Sequence, residues 1–369
     1  MNSMKWVMSA TVVAMTVVGC GRTSAVEASN DTEASRQGLA LPSFYGSDTL
    51  KEVFIAAGLQ AGSGLVVEGK GSGVGEACLR NGVGSSGFCA AGAQTLAPMS
   101  RDFTAPKTAS GAACRNGAAA DAKGCCAGER SNVIALDAVN AYVSATRYAA
   151  LPSNGLTTQE LRRIFFATDS SGAAIPGACP TDWSALGQPS APIIKYRRDD
   201  LSGTTDTFKS LLKGGAFCPG VTVIVDESAS NPSPCLVTDN ATTCIGRLTA
   251  SNDNAIGYAG DSASRPGNAK LALKAVAPVS PTTSTYVASN VVNIRKLLQA
   301  GATDVYPLAR RLFLNENILA TRSFDEEALY TWAFYTNPAE FEAILVEQGF
   351  IACSPFAPLD CGPGLCTAQ

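Results

Sequence analysis

The chain has 369 residues, 46% of them hydrophobic, and a formal net charge of -3 at pH 7. This length and apolar content suffice for a large core in two lobes or domains, which excludes a disordered tail or a fibre. The charge argues against the broad basic surface that non-specific binding to nucleic acid requires, so nucleic acid is not an expected partner.

The N-terminus has the charged-then-apolar layout of a secretory signal. Lys5 precedes an apolar run, Trp6–Val18, that is too short to span a bilayer. Gly19 and Cys20 follow and resemble the bacterial lipobox, in which the cysteine becomes the lipidated first residue. We therefore predict a lipoprotein signal peptide over residues 1–20, with an ordinary signal peptide and an incidental cysteine as the alternative. The protein is expected to be exported and anchored to a membrane only through its lipid.

The cysteine count indicates an oxidising compartment. Of the 13 cysteines, removal of Cys20 leaves 12, and an even number in an exported chain favours disulfides. The chain has no histidine, which weakens the case for zinc, and we predict no metal and no cofactor. Spacing suggests mostly local pairs, with the connectivity left open: Cys78 with Cys89, Cys114 with Cys125 or Cys126, Cys179 with Cys218, Cys235 with Cys244, and Cys353 with Cys361 or Cys366.

The elements that follow the signal alternate between strands and helices. Residues 21–41 are rich in Ser, Ala, Thr, Glu and Asp without apolar periodicity, and they are predicted to be a flexible tether. Helical spacing predicts a helix from Leu50 that ends at Gly62. Apolar runs predict strands at Leu65–Gly69 and Ile193–Tyr196. The alternation predicts an α/β fold.

Three further helix starts carry capping signals. Thr157 and Glu160 have capping-box spacing, as do Ser323 and Glu326. Asn337-Pro338 announces a last helix, which is predicted to end at Gly349.

Turns rich in glycine and hydroxyl groups recur where an apolar strand meets a predicted helix. They are Gly46–Thr49, Gly71–Gly73 and Ser202–Thr205, and Arg198 precedes the last of them. A helix N-terminus offers free backbone N–H groups and a partial positive charge, so each turn can form an anion cradle. Any one alone is better explained as a helix cap, whereas three with an arginine favour an oxyanion site.

The chain lacks the sequence signatures of nucleotide binding and of covalent catalysis. There is no G-x-x-x-x-G-K-[ST], and "GKGSGVG" lacks the spacing of a dinucleotide fingerprint. A serine triad lacks its histidine base. We therefore do not expect an enzyme, and a phosphatase is the least favoured alternative.

These residues resemble a known family, the substrate-binding protein of the phosphate-specific ABC transporter, which has the type II periplasmic binding protein fold. The resemblance rests on "YGSDTL", "GKGSGVG", "LAPMSRDF", "YRRDDLSGTTDTF", "NAIGYAG" and "VYPLARRLF", in family order from about Phe44 to Leu314. It implies two α/β lobes joined by a two-strand hinge, with inorganic phosphate in the cleft and ABC permease subunits as partners. It also implies a monomer in the periplasm.

Carried over motif by motif, the resemblance implies a set of phosphate-binding residues: Ser47, Asp48, Thr49, Ser72, Gly73, Ser100, Arg101, Arg198, Asp200, Ser202, Gly203 and Thr204. Asp200 is expected to pair with Arg198, whereas the flanking Arg197 and Asp199 are expected to face solvent. Arg101 falls where some relatives have an acid. An acid there accepts the proton of hydrogen phosphate and rejects sulfate, so the acceptor here is expected to be Asp48, Asp102 or Asp200.

The resemblance also implies lobe boundaries. Residues 42–134 and 265–369 are predicted to form lobe 1, and residues 135–264 lobe 2. The crossings are expected near Ile134–Ala138 and after Gly257-Tyr258. Two alternatives stay open at this point: a binding protein for molybdate, tungstate or sulfate, or a sensor without transport.

Overall fold

The computed structural model describes residues 42–80, 88–89, 94–104, 113–200, 202–353 and 359–368. The predicted signal peptide, the lipidation site Cys20 and the tether lie outside these residues. Within the described part of the chain, no helix is long and apolar enough to span a bilayer.

The elements alternate between strands and helices, as the sequence predicts. The strands are β1 (Ser43–Gly46), β2 (Val66–Gly69), β3 (Leu96–Met99), β4 (Glu129–Ala138), β5 (Asn140–Ser144), β6 (Gly155–Thr157), β7 (Ile194–Arg198), β8 (Thr222–Ile224), β9 (Ala255–Ala259), β10 (Asn268–Lys270), β11 (Ala272–Lys274), β12 (Ala309–Asn317) and β13 (Ile351–Ala352). The α-helices are α1 (Lys51–Ala61), α2 (Ser72–Leu79), α3 (Ala145–Ala150), α4 (Thr158–Phe165), α5 (Gly203–Leu212), α6 (Ala241–Ser251), α7 (Val291–Arg295), α8 (Phe324–Thr331) and α9 (Pro338–Glu347).

Local sequence explains where these helices begin and end. Gly62 takes a left-handed conformation and ends α1, as predicted. Thr157 with Glu160 and Ser323 with Glu326 form the two predicted capping boxes, at the starts of α4 and α8. Each box satisfies backbone N–H groups that a helix leaves unpaired at its first turn.

Two main sheets carry the fold. Among the described strands, one sheet has the order β13-β4-β12-β3 and the other has the order β10-β5-β9-β7-β8. β1 and β2 form a parallel pair, and so do β6 and β11. The chain passes from the first sheet to the second at Val139, between β4 and β5, close to the first predicted crossing.

The return to the first sheet comes later in the chain than the second predicted crossing. β10 pairs with β5 and β11 pairs with β6, so residues 268–274 lie beside strands of the predicted lobe 2. The first sheet resumes only with β12 at Ala309. Strand pairing therefore favours a lobe boundary near residue 308 over the predicted one at 264–265, and the division into lobes stays a prediction.

Six disulfides join cysteines within the described residues. The local pairs are Cys78–Cys89, Cys114–Cys126, Cys179–Cys218, Cys235–Cys244 and Cys353–Cys361, all among the predicted alternatives. The sixth, Cys125–Cys366, joins positions 241 residues apart and was not predicted. It holds the C-terminal segment beside β4, where the Ser131 N–H donates to the Cys366 carbonyl over 2.8 Å.

An aromatic cluster fixes α5 against the second sheet. The rings of Phe208, on α5, and Tyr258, on β9, stack with centroids 3.9 Å apart. Phe165 contacts both rings edge-on. The Tyr258 hydroxyl lies 2.8 Å from the Thr205 hydroxyl, so the start of α5 is held by packing and by a hydrogen bond.

Candidate anion-binding site

The three hydroxyl turns lie at the carboxyl ends of strands, as expected. β1 and β2 run parallel with Gly46 opposite Gly69, which brings the turns that begin at Ser47 and at Ser72 to one edge. Ser202 follows β7 and caps α5, its hydroxyl accepting from the Thr204 N–H over 3.2 Å. Ser47 caps a short 3-10 turn in the same way, through the Thr49 N–H.

The first turn of α5 packs directly against a cluster of serines. The hydroxyls of Ser72 and Ser100 lie 3.0 Å apart, and the Ser100 N–H donates to Ser72 over 2.9 Å. A Cβ at Gly203 would overlap the Ser100 hydroxyl and lie 3.0 Å from that of Ser47. Ser47, Ser72 and Ser100 are each at most 1% exposed, so only glycine fits at position 203.

Beside this contact a cleft of about 100 Å³ opens to solvent. Four of the predicted site residues line it, namely Asp48, Thr49, Arg198 and Thr204. The hydroxyls of Thr49 and Thr204 lie 3.1 Å apart and join the two sides of the cleft. The wall opposite Asp48 includes Asp226, Asn240 and Thr242.

Arg198 is held in the cleft by partners that the sequence did not indicate. Its Nη1 donates to the Thr242 hydroxyl over 2.9 Å, and its Nη2 lies 3.7 Å from Asp226. Asp226 in turn accepts from the Ala241 N–H at the start of α6. The Arg198 Nε is buried and has no hydrogen-bond partner among the described residues. The guanidinium that these partners fix thus keeps a buried donor, the Nε–H, for a ligand.

The expected pairing of Asp200 with Arg198 is wrong. Asp200 binds Arg197 instead, with bonds of 2.8 and 3.0 Å, and its own side chain is 70% exposed. Arg197 was expected to face solvent, but it is buried with its guanidinium 4.3 Å from the centre of the Phe217 ring. β7 is an interior strand of its sheet, so side chains on both of its faces are covered. Asp199 is partly exposed and caps the Ser202 N–H.

Among the acids that line the cleft, Asp48 is the one that the sequence predicted as a site residue. Burial raises the pKa of Asp48 to about 6, against the opposing effect of Arg198. Its Oδ2 is buried without a partner among the described residues. Gly69 makes room for the carboxylate, because a Cβ there would overlap the Asp48 Oδ1.

The "MSRDF" turn contributes Ser100 to the serine cluster, whereas its two charged residues, Arg101 and Asp102, bind partners outside the cleft. Arg101 forms an ion pair with buried Glu76 at 2.7 Å and does not line the cleft. Asp102 accepts from the Ser131 hydroxyl and from the Leu365 N–H, so it supports the C-terminal segment. Of the three expected acceptors, only Asp48 lies in the cleft.

Other predicted residues also lie away from the cleft. Gly73 is exposed on α2, with only Arg101 within reach of a Cβ there. Ser47, Ser72, Ser100, Ser202 and Gly203 form the buried contact behind the cleft and do not line it.

Arg310, on β12, lies behind the cleft and was missed. It stands in "VYPLARRLF", which was quoted for the resemblance without a role for any arginine. The role of Thr242 could have been predicted from the "DNATT" segment, which is typical of a helix start. No sequence pattern around Asp226 indicated that it lines the site.

Comparison with known proteins assigns the family. A model described as a PBP superfamily domain matches residues 46–314. Because the match spans well over half of the chain, the chain belongs to the PBP superfamily. A search of curated proteins finds no match.

Solved structures share this fold at low identity. An ABC-type phosphate transport receptor from Vibrio cholerae is 16% identical, with a TM-score of 0.52, over 84% of this chain and 98% of its own. A protein from Clostridium perfringens, assigned as a phosphate ABC transporter substrate-binding protein and solved with bound phosphate, is 17% identical, with a TM-score of 0.51, over 85% and 99%. A high affinity periplasmic phosphate-binding protein, PfluDING, is 13% identical, with a TM-score of 0.50, over 86% and 90%. The predicted type II periplasmic binding protein fold is thereby confirmed.

Proposed function

We propose that this chain is an extracytoplasmic receptor that binds inorganic phosphate and delivers it to the permease of an ABC importer. Three similar folds belong to proteins named for phosphate. The six disulfides support an oxidising compartment outside the cytoplasm, and Cys20 is the proposed lipid anchor. The protein acts as a monomer in this proposal.

One observation carries the choice of ligand. Two residues that line the cleft each have a buried polar atom without a partner among the described residues: a donor, the Arg198 Nε, and an acceptor, the Asp48 Oδ2. Hydrogen phosphate satisfies both, because its oxygens accept from Arg198 and its own hydroxyl donates to the Asp48 carboxylate. Sulfate and molybdate at neutral pH carry no proton, and they leave Asp48 unpaired beside a negative oxygen.

The remaining contacts come from neutral hydroxyls. Thr49 and Thr204 both line the cleft, and their hydrogen-bonded pair can donate one hydrogen to a further phosphate oxygen. The serine cluster and the first turn of α5 form the layer behind them. In a cleft that excludes water, such donors contribute more than they do in solution.

Domain closure is part of this proposal. The residues on the two sides of the cleft belong to the two proposed lobes, Asp48 and Thr49 to the first and Arg198 and Thr204 to the second. Bound phosphate bridges the lobes and favours the closed state, which the permease recognises.

The experiment is a calorimetric titration of the purified mature protein with phosphate, comparing wild type, Arg198→Ala and Arg197→Ala. Wild type is expected to bind, and Arg198→Ala to bind about 100-fold more weakly or not at all, because its removal leaves the anion without its charged partner. Arg197→Ala is the matched control from the neighbouring position, and its thermal stability is measured in parallel. Normal phosphate binding by Arg198→Ala overturns the site, and the absence of phosphate binding by wild type overturns the function.

A further inference from the structure

Arg310 is buried between the turn after β1 and the first turn of α5, and it does not line the cleft. Its side chain is 4% exposed, and that of its partner Asp137, near the end of β4, is 2% exposed. Both the Nε and the Nη2 of Arg310 donate to Asp137 Oδ2, over 3.0 and 2.7 Å. Its charge is therefore neutralised locally, and it offers a phosphate little direct attraction.

The other donors of Arg310 reach the first turn of α5 and the turn after β1. Nη1 donates to the Thr207 hydroxyl over 3.0 Å and to the Gly203 carbonyl over 3.3 Å. Nη2 donates to the Thr49 hydroxyl over 3.2 Å and more distantly to that of Thr204, over 3.5 Å. A guanidinium has five N–H groups, and these contacts occupy all of them.

The contacts fix the direction of hydroxyl hydrogens in the cleft. Thr49 and Thr204 both accept from Arg310, and one of them donates to the other over 3.1 Å. Each hydroxyl has a single hydrogen, so one of the two hydrogens is left over. The Arg310 guanidinium repels that hydrogen from its own side, because the guanidinium is itself a positively charged donor. The remaining hydroxyl hydrogen is therefore expected to point into the cleft.

We propose that Arg310 is a positioning residue of the anion site, which orients the Thr49–Thr204 hydroxyl pair to donate to the ligand and holds the first turn of α5 beside it. This role rests on the proposed function, since it requires an anion in the cleft. The larger part of its effect on binding passes through the hydroxyl pair, so that part must disappear when the Thr49 hydroxyl is absent.

The test is a double-mutant cycle read by phosphate titration, with wild type, Arg310→Lys, Thr49→Val and the double variant. Arg310→Lys and Thr49→Val are each expected to weaken phosphate binding about tenfold, and the double variant also by about tenfold, because both changes remove the same hydrogen bond. A purely structural role instead multiplies the two effects to about 100-fold. Arg311→Lys, the neighbouring arginine outside this network, is the control and is expected to bind like wild type.

A second variant keeps the test decisive if Arg310→Lys fails to fold. Thr207→Val retains the Arg310–Asp137 pair and the bond from Arg310 to the Gly203 carbonyl. It removes the bond from Arg310 to the Thr207 hydroxyl, together with that hydroxyl's own bond to the Gly203 carbonyl, and we expect phosphate binding about threefold weaker. If wild type binds phosphate and Arg310→Lys binds it equally well, or if the cycle is multiplicative, the positioning role is wrong while the function stands. If Arg310→Lys does not fold, equal phosphate binding by wild type and Thr207→Val overturns the positioning role in the same way. If wild type binds no phosphate, the proposed function falls as well, and the wild-type arm distinguishes the two failures.

Discussion

Two arginines flank the first turn of α5, and they differ in what they leave for a ligand. Arg198 lines the cleft, is steadied by Thr242 and Asp226, and retains one buried N–H without a partner among the described residues. Arg310 lies behind the cleft with all of its N–H groups bonded. The same side chain is thus a candidate ligand contact in one place and a support in the other, and the difference lies in its partners.

Two acids, Asp137 and Asp48, differ in the same way as the two arginines. Asp137 is paired with Arg310, whereas Asp48 lines the cleft and its Oδ2 lacks a partner among the described residues. Buried charges with complete partners stabilise geometry, and incomplete ones mark places where a ligand completes the network.

The largest expected effect comes from Gly203, at the first turn of α5, whose carbonyl accepts from Arg310. Gly203→Ala places a methyl group against the Ser100 and Ser47 hydroxyls and is expected to lower the free energy of unfolding by about 2–3 kcal/mol, since this contact has no free space. Denaturant unfolding measures this difference in the free energy of unfolding between wild type and Gly203→Ala. The control is Gly58→Ala within α1, where nothing lies within 4 Å of the added Cβ and stability should stay equal or rise. Equal stability of Gly203→Ala and wild type contradicts the close packing.

The next effect concerns Asp48 and the pH dependence of stability. Its pKa is raised to about 6 in the folded protein, so the folded state holds the proton more tightly than the unfolded chain. The contribution is fully present at low pH and is lost as pH rises through about 6. Asp48→Asn removes this loss and is expected to be more stable than wild type at neutral pH, by on the order of 2 kcal/mol.

The measurement is the unfolding free energy of wild type and Asp48→Asn across the acid-to-neutral range. The difference between the proteins, not either curve alone, reports Asp48, because other buried acids contribute equally to both. A difference that does not grow as pH rises shows that Asp48 is not a desolvated carboxylate.

A smaller effect is expected from Thr242, whose hydroxyl accepts a hydrogen bond from Arg198 and orients its guanidinium. Thr242→Val removes the 2.9 Å bond to Nη1 while preserving side-chain volume. We expect phosphate affinity to fall about fivefold, because the guanidinium then loses part of its orientation before binding. Thr243→Val, at the next position of α6, is the control. Titration calorimetry measures the affinity for phosphate. An unchanged affinity would show that Thr242 does not orient Arg198.

The smallest effect concerns salt. The cleft is lined by five carboxylates, those of Asp48, Glu52, Asp226, Glu227 and Asp261, and by only two cations, Lys51 and Arg198. The surrounding field therefore does not attract an anion, and added salt screens repulsion. Raising the ionic strength from about 0.02 to about 0.5 M should leave phosphate affinity within roughly twofold or increase it. A steep loss of affinity with salt contradicts a site held by local hydrogen bonds.

The sequence predicted the features that depend on neighbouring residues. The capping boxes, the stop at Gly62 and the turns at Ser47, Ser72 and Ser202 all follow from local hydrogen bonding and backbone conformation. The short-range disulfides follow from spacing in the same way.

The features that were missed depend on contacts between distant segments. Arg197 was predicted to face solvent because charged residues beside a strand end usually do, but consecutive residues of β7 are buried, so both faces of this strand are covered. Cys366 reaches Cys125 only because the chain returns beside β4, and Arg310 reaches Thr49 across 261 positions. No local pattern encodes such approaches.

The most direct test of the account is a calorimetric comparison of phosphate and sulfate at about pH 5 and about pH 8, on either side of the Asp48 pKa of about 6. Phosphate should bind at both pH values, because it can donate a proton to the ionised carboxylate. Sulfate should bind measurably only at the lower pH, where protonated Asp48 donates to it, and at least about 100-fold more weakly than phosphate at the higher pH. Sulfate binding that equals phosphate binding at the higher pH, or a preference that does not change with pH, contradicts selection of the anion by Asp48.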